Sequence, residues 1–269
     1  MPGLPHKDFL FPQISDLPYF RGLLRAVEAR FYQEIDLPAP VLDVGCGDGH
    51  FAWRAFEQPI DVGIDPWRMP IREAAQRHIY RLTVQADAGQ MPFPAASFAS
   101  AMSNSVLEHI PHVEMVLAEV GRVLKPGAPF VFCVPNHQFL STLSVGRAFD
   151  RVGLRPVGNA YRSFFNRISR HCHCNDPKTW EARLAKAGFR LERWWHYFPP
   201  KAQHVLEWGH YVGLPALITK KLLGRWILSP TRWNLAITER ITRPVYEAEP
   251  VSDGGVYSFY IARRMEGAS

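Results

Sequence analysis

The sequence predicts an α/β fold: a mostly parallel sheet carrying long helical insertions. Three observations point to it. From Pro40 onward, short apolar runs alternate with amphipathic stretches of helical period, the pattern of βαβ units. The first two runs end in turn-forming residues, glycines after Val44 and Pro66 after Asp65. The 269 residues are 47% hydrophobic and 21% charged, ordinary globular values that exclude a disordered, collagen-like or coiled-coil chain.

The elements follow in order. Residues 1–14 are proline-rich and read as irregular. Asp16–Asp36 reads as one amphipathic helix, with Phe20, Leu23, Leu24, Val27, Phe31 and Ile35 at helical spacing. Pro40–Gly45 is a buried strand, and Asp48–Glu57 a helix with Asp48 as its N-cap. Pro59–Asp65 is the second strand, Trp67–Arg77 a helix, Arg81–Ala86 the third strand and Phe98–Asn104 the fourth. His112–Leu124 is helical and stops at Lys125–Gly127; Ala128–Val134 is the fifth strand. His137–Cys174 breaks the rhythm as an insertion. Asp176–Ala187 is a helix, with Asp176 at its N-cap and Gly188 beyond its end. Phe189–Phe198 is a strand, Pro199–Gly255 a second insertion, and Val256–Arg263 the final strand.

The net charge of +6 permits nucleic acid, an anionic membrane or an acidic substrate and selects none. Cys46, Cys133, Cys172 and Cys174 lack the spacing of a disulfide framework and read as reduced thiols of a cytoplasmic protein. Met1–Phe20 carries Pro, His, Lys and Asp where a secretory leader would be apolar. Trp208–Thr219, the longest apolar candidate, falls short of a spanning helix and contains His210 and Pro215.

The chemistry begins in Val41–Phe51, where Asp43, Gly45, Cys46, Gly47 and Gly49 lie between a buried strand and a helix. Glycines there allow a sharp turn and close approach of a ligand, and a helix N-terminus offers free N–H groups. A dinucleotide fingerprint needs a third glycine at the sixth position counted from Gly45, where His50 stands. Asp65 closes the second strand, where a carboxylate can accept from both hydroxyls of a ribose. Asp87 follows the third strand and could accept from an adenine amine. Each acid alone reads as a cap or a solvated side chain; the three together mark the carboxyl edge of the sheet, where such folds bind ligands.

These segments resemble a known family. "VLDVGCGDG" (Val41–Gly49), "VGIDP" (Val62–Pro66), "ADAGQMPFPAASF" (Ala86–Phe98), "SNSVLEHI" (Ser103–Ile110) and "EVGRVLKPGAPFVFCVPN" (Glu119–Asn136) are similar, in order and spacing, to class I S-adenosylmethionine-dependent methyltransferases of the ubiquinone-biosynthesis-like (type 11) subgroup. His171–Phe189 resembles the family less strongly. Ala99 stands where the family usually has Asp, and Ala128 where it has a second Gly.

The resemblance implies a Rossmann-like sheet, mostly parallel with an antiparallel last strand, and helical cap insertions. It divides the chain into an N-terminal segment and helix (1–36), a cofactor-binding core (37–136), a substrate cap (137–175), a core helix and strand (176–198), a basic amphipathic insertion (199–255) and a final strand with tail (256–269). It implies S-adenosylmethionine as cofactor. Asp43, Gly45, Cys46, Gly47 and Gly49 would hold its amino-acid part, Asp65 and Pro66 the ribose, and Asp87 and Ala88 the adenine edge. Asn104 and Ser105 would face the sulfonium. Met91 or Trp67 could cover the adenine ring, with core packing as the competing role.

Methyl transfer to carbon or oxygen often needs a base. His109 follows the fourth strand and titrates in the right range, against the reading of a wall residue. His171 and His173 would share one face of an extended strand, with Cys172 and Cys174 on the other. That alternation splits the ligands, so no metal is expected.

Lys201–Arg243 carries Lys201, Lys220, Lys221, Arg225, Arg232, Arg240 and Arg243 against Glu207 and Glu239. Trp208, Trp226, Trp233 and an apolar cluster at Leu214, Leu217, Ile218, Leu222, Leu223 and Ile227 accompany them. Two readings stand: helices lying on an anionic bilayer, making the protein peripheral to the membrane, or a cap whose apolar face packs inward. Both predict a large apolar cleft and a lipid-like or other small-molecule acceptor. No aromatic–basic nucleic-acid motif is present. The competing functions are a non-catalytic cofactor-binding partner, a membrane-associated scaffold and a nicotinamide enzyme, the last disfavoured by His50.

Overall fold

The computed structural model describes residues 7–267; within 214–216 the backbone alone is described. The first six residues of the proline-rich segment, the last two of the tail and the Leu214 side chain lie outside the described residues. The chain forms α1 (Leu10–Asp16), α2 (Tyr19–Tyr32), β1 (Val41–Val44), α3 (His50–Ala55), β2 (Ile60–Asp65), α4 (Arg68–Gln76), β3 (Tyr80–Gln85), β4 (Ser100–Asn104), a 3-10 turn at Leu107–His109, α5 (Val113–Val123) and β5 (Pro129–Pro135). Then come α6 (Ser144–Arg151), α7 (Arg155–Ser169), α8 (Pro177–Lys186), β6 (Phe189–Tyr197), α9 (Pro200–Val212), α10 (Leu214–Leu223), α11 (Arg232–Glu247) and β7 (Tyr257–Arg264).

The seven strands form one sheet in the order β3-β2-β1-β4-β5-β7-β6. β1 to β5 pair in parallel, and β7 runs antiparallel between β5 and β6. The order reverses between β1 and β4, which opens a crevice at their carboxyl ends. Both faces are covered. Phe130, Phe132 and Val134 of β5 enter the core built with α5 and α8, whereas Val131 and Cys133 enter the opposite core, with α1 to α4. This alternation of a fully buried strand explains the unbroken apolar runs in the sequence.

Several expectations need correction. The segment before Asp16 is not irregular: Leu10–Asp16 is helical because Phe9, Leu10 and Ile14 are buried in the core. The single helix over 16–36 is two, since Pro18 holds an extended ψ of 137° between α1 and α2. Asp48 is not the N-cap of α3; that position is Gly49 in the left-handed region, and the Asp48 side chain accepts instead from the His50 N–H. β4 starts at Ser100, not Phe98. The His171–Cys174 segment is no strand: Cys172 and His173 both donate their N–H groups to the Glu108 carbonyl, which bends the chain against the loop after β4. All four cysteines are free thiols.

Two buried carboxylates tie the N-terminal helix to the sheet and the two insertions to each other. Glu28 of α2 accepts from Arg25, from the Asn104 amide, from the Ser105 hydroxyl and from Tyr197 at the end of β6. Glu207 of α9 accepts from the Ser144 and Val145 N–H groups at the start of α6 and from Tyr161 of α7. Charge-assisted bonds to otherwise orphaned helix N–H groups favour this anion at its place.

The apolar face of α10 does not pack inward. Ile218, Leu222 and Leu223 are exposed, Leu222 by 76%. On α11, Trp233, Ile237 and Ile241 are exposed at helical spacing, Trp233 by 87%. Among the described residues no helix is long and apolar enough to cross a membrane.

Candidate functional site

The loop after β1 is held open by its glycines. The Gly45 and Cys46 N–H groups both donate to the Ile64 carbonyl at 2.9 and 2.8 Å, which fastens the loop to the end of β2. Gly45 has φ +77°, and a Cβ there would stand 2.4 Å from a Val106 methyl. Gly47 has φ +55° with nothing within 4 Å of a Cβ position, so its backbone faces open space. Only glycine takes this conformation without strain.

The acids surround that space in different states. Asp65 accepts from the Gly47 and Trp67 N–H groups at 3.1 and 2.9 Å, and burial raises its pKa. Asp87 is exposed and accepts from the Gly89 N–H with one oxygen. Asp43 is buried, accepts from the Tyr80 hydroxyl at 2.6 Å, and is pushed up to about 7 by burial.

Asp43, Gly45, Cys46, Gly47, Asp65, Pro66, Asp87, Ala88, Asn104, Ser105 and His109 all line one cavity of about 670 Å³. Gly49 does not; it lies under Tyr80 and Ala74, where its left-handed turn starts α3. Trp67 stands on the cavity lip, whereas Met91 is a core residue.

A second cavity of about 790 Å³ adjoins the first and shares Arg21, Arg25, Ser105, His109 and Trp226 with it. Phe20, Leu24, Phe139, Phe164, Ile168, Leu206 and Leu217 make its walls largely apolar. A further hollow, beside Arg193 and Trp195 on the outer edge of the sheet, shares no residue with the glycine loop.

The three histidines part company here. His109 sits at the junction of the cavities and bonds through Nδ1 to the Arg170 carbonyl at 3.0 Å. That contact selects the tautomer that donates from Nδ1 and leaves Nε2 as acceptor. His171 lines the apolar cavity, its ring 5.4 Å from that of His109, and burial pushes its pKa down to about 3. His173 reaches neither cavity. Its Nε2 lies 2.9 Å from the Ile110 carbonyl and its ring packs beside Trp180, so it is a structural residue, because the bend at Cys172 turns it away. Glu108, His109 and His171 bring their ligand-type atoms within 4.8 Å of one another.

Sequence reasoning missed Arg21, Arg25 and Glu28. Arg25 lines both cavities, bonds Glu28 at 2.8 Å and reaches the Asn104 carbonyl at 3.3 Å. Polar residues inside the helix pattern of α2 were the available signal.

Comparison with known proteins adds to this geometry. The family model described as a methyltransferase domain matches residues 17–193. A fatty-acid O-methyltransferase from Mycolicibacterium smegmatis is 35% identical over 97 residues, covering 34% of this chain and 35% of that protein. An ajmaline N-methyltransferase from Rauvolfia serpentina is 30% identical over 144 residues, 50% of this chain and 49% of that protein. The chain thus spans a third to a half of the length of these curated relatives. A solved S-adenosylmethionine-dependent methyltransferase from Thermotoga maritima, a possible histamine N-methyltransferase, superposes with a TM-score of 0.55 at 15% identity, over 90% of this chain and 89% of that one. That likeness shows the fold. The relatives span several acceptor types and do not single out the ubiquinone-biosynthesis subgroup.

Proposed function

The chain belongs to the methyltransferase-domain family, and from that premise we propose that it methylates a small lipophilic acceptor seated in the apolar cavity. S-adenosylmethionine is the cofactor; its sulfonium brings an activated methyl group with the leaving group already attached. The cradle suits it: an open backbone at Gly47, a carboxylate at the end of β2, and a second carboxylate beyond β3 with one oxygen uncommitted. Gly45, Cys46 and Gly47 would meet the amino-acid part, with Asp43 beneath them. Arg25 would meet its carboxylate. Asp65 and Pro66 would hold the ribose, Asp87 and Ala88 the adenine, and the backbone at Asn104 and Ser105 the end nearest the methyl.

The observation that carries the reading is the shared wall. Ser105 and His109 line both cavities, so an acceptor in the apolar one meets the cradle at that junction. Holding two reactants in line can supply about 7–11 kcal/mol of a barrier. The largely apolar walls exclude water, which helps a reaction that disperses positive charge. His109 offers Nε2 at the junction as proton acceptor or wall, and His171 is a wall residue. Names among the relatives, a fatty acid and an alkaloid as acceptors, fit a lipophilic substrate. Calorimetry with S-adenosylmethionine, then mass spectrometry of a lipid and metabolite extract for a product one methyl heavier, tests this; binding without any methylated product would favour a non-catalytic partner.

A second reading concerns the surface. The exposed apolar faces of α10 and α11 lie among Lys220, Lys221, Arg225, Arg232 and Arg240, the composition of helices lying on an anionic bilayer. Leu217 and Trp226 belong both to this region and to the apolar cavity, so an acceptor could enter from the lipid. Phosphatidylserine vesicles should sediment the protein at low salt, and Lys220→Glu with Lys221→Glu and Arg225→Glu should release it. Each basic residue contributes about 1 kcal/mol near such a surface. No sedimentation of the unaltered protein would reject this reading and leave the methyl-transfer proposal intact.

A further inference from the structure

The charges at the junction of the two cavities are unevenly matched. Arg25 is neutralised by Glu28 at 2.8 Å. Asp48, an anion within electrostatic reach of Arg21, is itself held by Arg77 at 3.2 Å. Arg21 lines both cavities; its guanidinium lies 5.8 Å over the Trp226 ring and makes no hydrogen bond or ion pair among the described residues. It is solvent-exposed, standing where the two cavities open into each other. Its five N–H donors are therefore open to an anionic group that enters the apolar cavity.

The groups that could remove a proton are poorly placed to do so. His109 has Arg21, Arg25 and Arg170 within electrostatic reach, and burial together with these cations lowers its pKa. An imidazolium formed there would meet the guanidinium groups of Arg21 and Arg170 and the positive cofactor. Glu108 is buried, and burial pushes its carboxyl up to about 8, which favours the protonated form. A metal ion among Glu108, His109 and His171 would face the same cations.

We propose that the acceptor's nucleophile is a carboxylate, held by Arg21 and converted to a methyl ester. This rests on the methyl-transfer reading and deepens it. An ionised carboxylate needs no base. One carboxylate oxygen stays on the Arg21 guanidinium while the other gives a lone pair to the methyl carbon. The carbon–sulfur bonding pair returns to sulfur, leaving a neutral thioether and a neutral ester, and no proton moves. The lipophilic remainder of the acid lies along Phe20, Leu24, Phe139 and Leu206. A guanidinium holds a single carboxylate oxygen by charge-assisted hydrogen bonds and leaves the other free to react.

The test uses octanoic, dodecanoic and hexadecanoic acids beside the matching alcohols and amines, with product mass and S-adenosylhomocysteine affinity both measured. The expected result is methyl esters from the acids alone. Arg21→Gln should raise KM for the acids about tenfold or more, the loss of one charged hydrogen bond, and Arg21→Lys should recover part of it. In both variants S-adenosylhomocysteine should bind as before, and calorimetry on that complex should show weaker dodecanoate binding in Arg21→Gln. Methylation of alcohols or amines in place of acids overturns the proposal while sparing methyl transfer. So does failure of every acid to react or bind, or an unchanged KM in Arg21→Gln. Weakened S-adenosylhomocysteine binding in Arg21→Gln would reassign the guanidinium to the cofactor and also overturn it. An unaltered protein that binds no S-adenosylhomocysteine would bring down the methyl-transfer reading itself.

Discussion

Replacing Asp65 by Ala should weaken S-adenosylhomocysteine binding by about 1.5–3 kcal/mol, roughly 10- to 150-fold in Kd, the range for a hydrogen bond to a charged group. The side chain sits at the end of β2 and is only 8% exposed. Each oxygen accepts one backbone N–H, from Trp67 and from Gly47, and each keeps a second lone pair for a ribose hydroxyl. The two hydroxyl bonds share one carboxylate, so their losses do not simply add. The same substitution frees two N–H groups on the cavity wall, where water can replace the lost acceptor. It also removes a carboxylate whose burial already disfavours its charge. The unliganded protein should therefore lose about 1–2 kcal/mol of stability, near the low end for lost charged bonds. Titration calorimetry reads the affinity, and thermal unfolding without ligand shows that the fold survives. Asp65→Asn, which keeps one acceptor oxygen and loses the charge, should fall between. Unchanged affinity in a folded Asp65→Ala protein would refute the assignment of the ribose to this carboxylate.

Asp43 makes a pH-dependent prediction. Its carboxyl has an ordinary value of 3.8 and stands at about 7 in the fold, so the folded state holds the proton more tightly than the unfolded chain. Stability from this group is present at low pH and is lost as pH rises through that interval. Asp43→Asn, still able to accept from Tyr80, should raise the unliganded melting temperature above pH of about 7 and leave it unchanged near pH of about 4; an equal shift at both would contradict the buried acid. Gly45→Ala should cost about 2–4 kcal/mol, from a left-handed φ and from a Cβ driven into Val106. Adding Val106→Ala should restore the part due to the clash, read by chemical denaturation.

Much of the architecture was local and therefore legible. A fully buried strand is an apolar run whichever neighbours it has, and a loop that needs positive φ at Gly45 and Gly47 declares this through its glycines. The carboxyl ends of β1, β2 and β3 could be ordered from the chain alone, which brought Asp43, Asp65 and Asp87 to one cavity wall. The helix read over Asp176–Ala187, found as α8 (Pro177–Lys186) with Asp176 as its N-cap, was equally readable, since its cap is a bond between residues three apart.

Other features depend on which distant segments meet, and chain order does not encode that locally. Glu28 reads as one more polar residue of an amphipathic helix; its burial follows from Asn104, Ser105 and Tyr197, up to 169 residues away. Leu10 and Ile14 looked like part of a proline-rich arm until the core closed over them. His171 and His173 are indistinguishable by spacing, yet one bend at Cys172 sends the first to the cavity and the second to Trp180. Leu222 and Trp233 are apolar by identity, and only the packing of α10 and α11 left them exposed. Arg21 is the sharpest case. A guanidinium on a helix ordinarily faces open solvent, and only the convergence of α2 with the ends of β1 and β4 brings this one to the junction of two cavities with no ion pair of its own among the described residues. Backbone conformation is set within a few residues, whereas burial and charge pairing are properties of surfaces that exist only after the chain has folded.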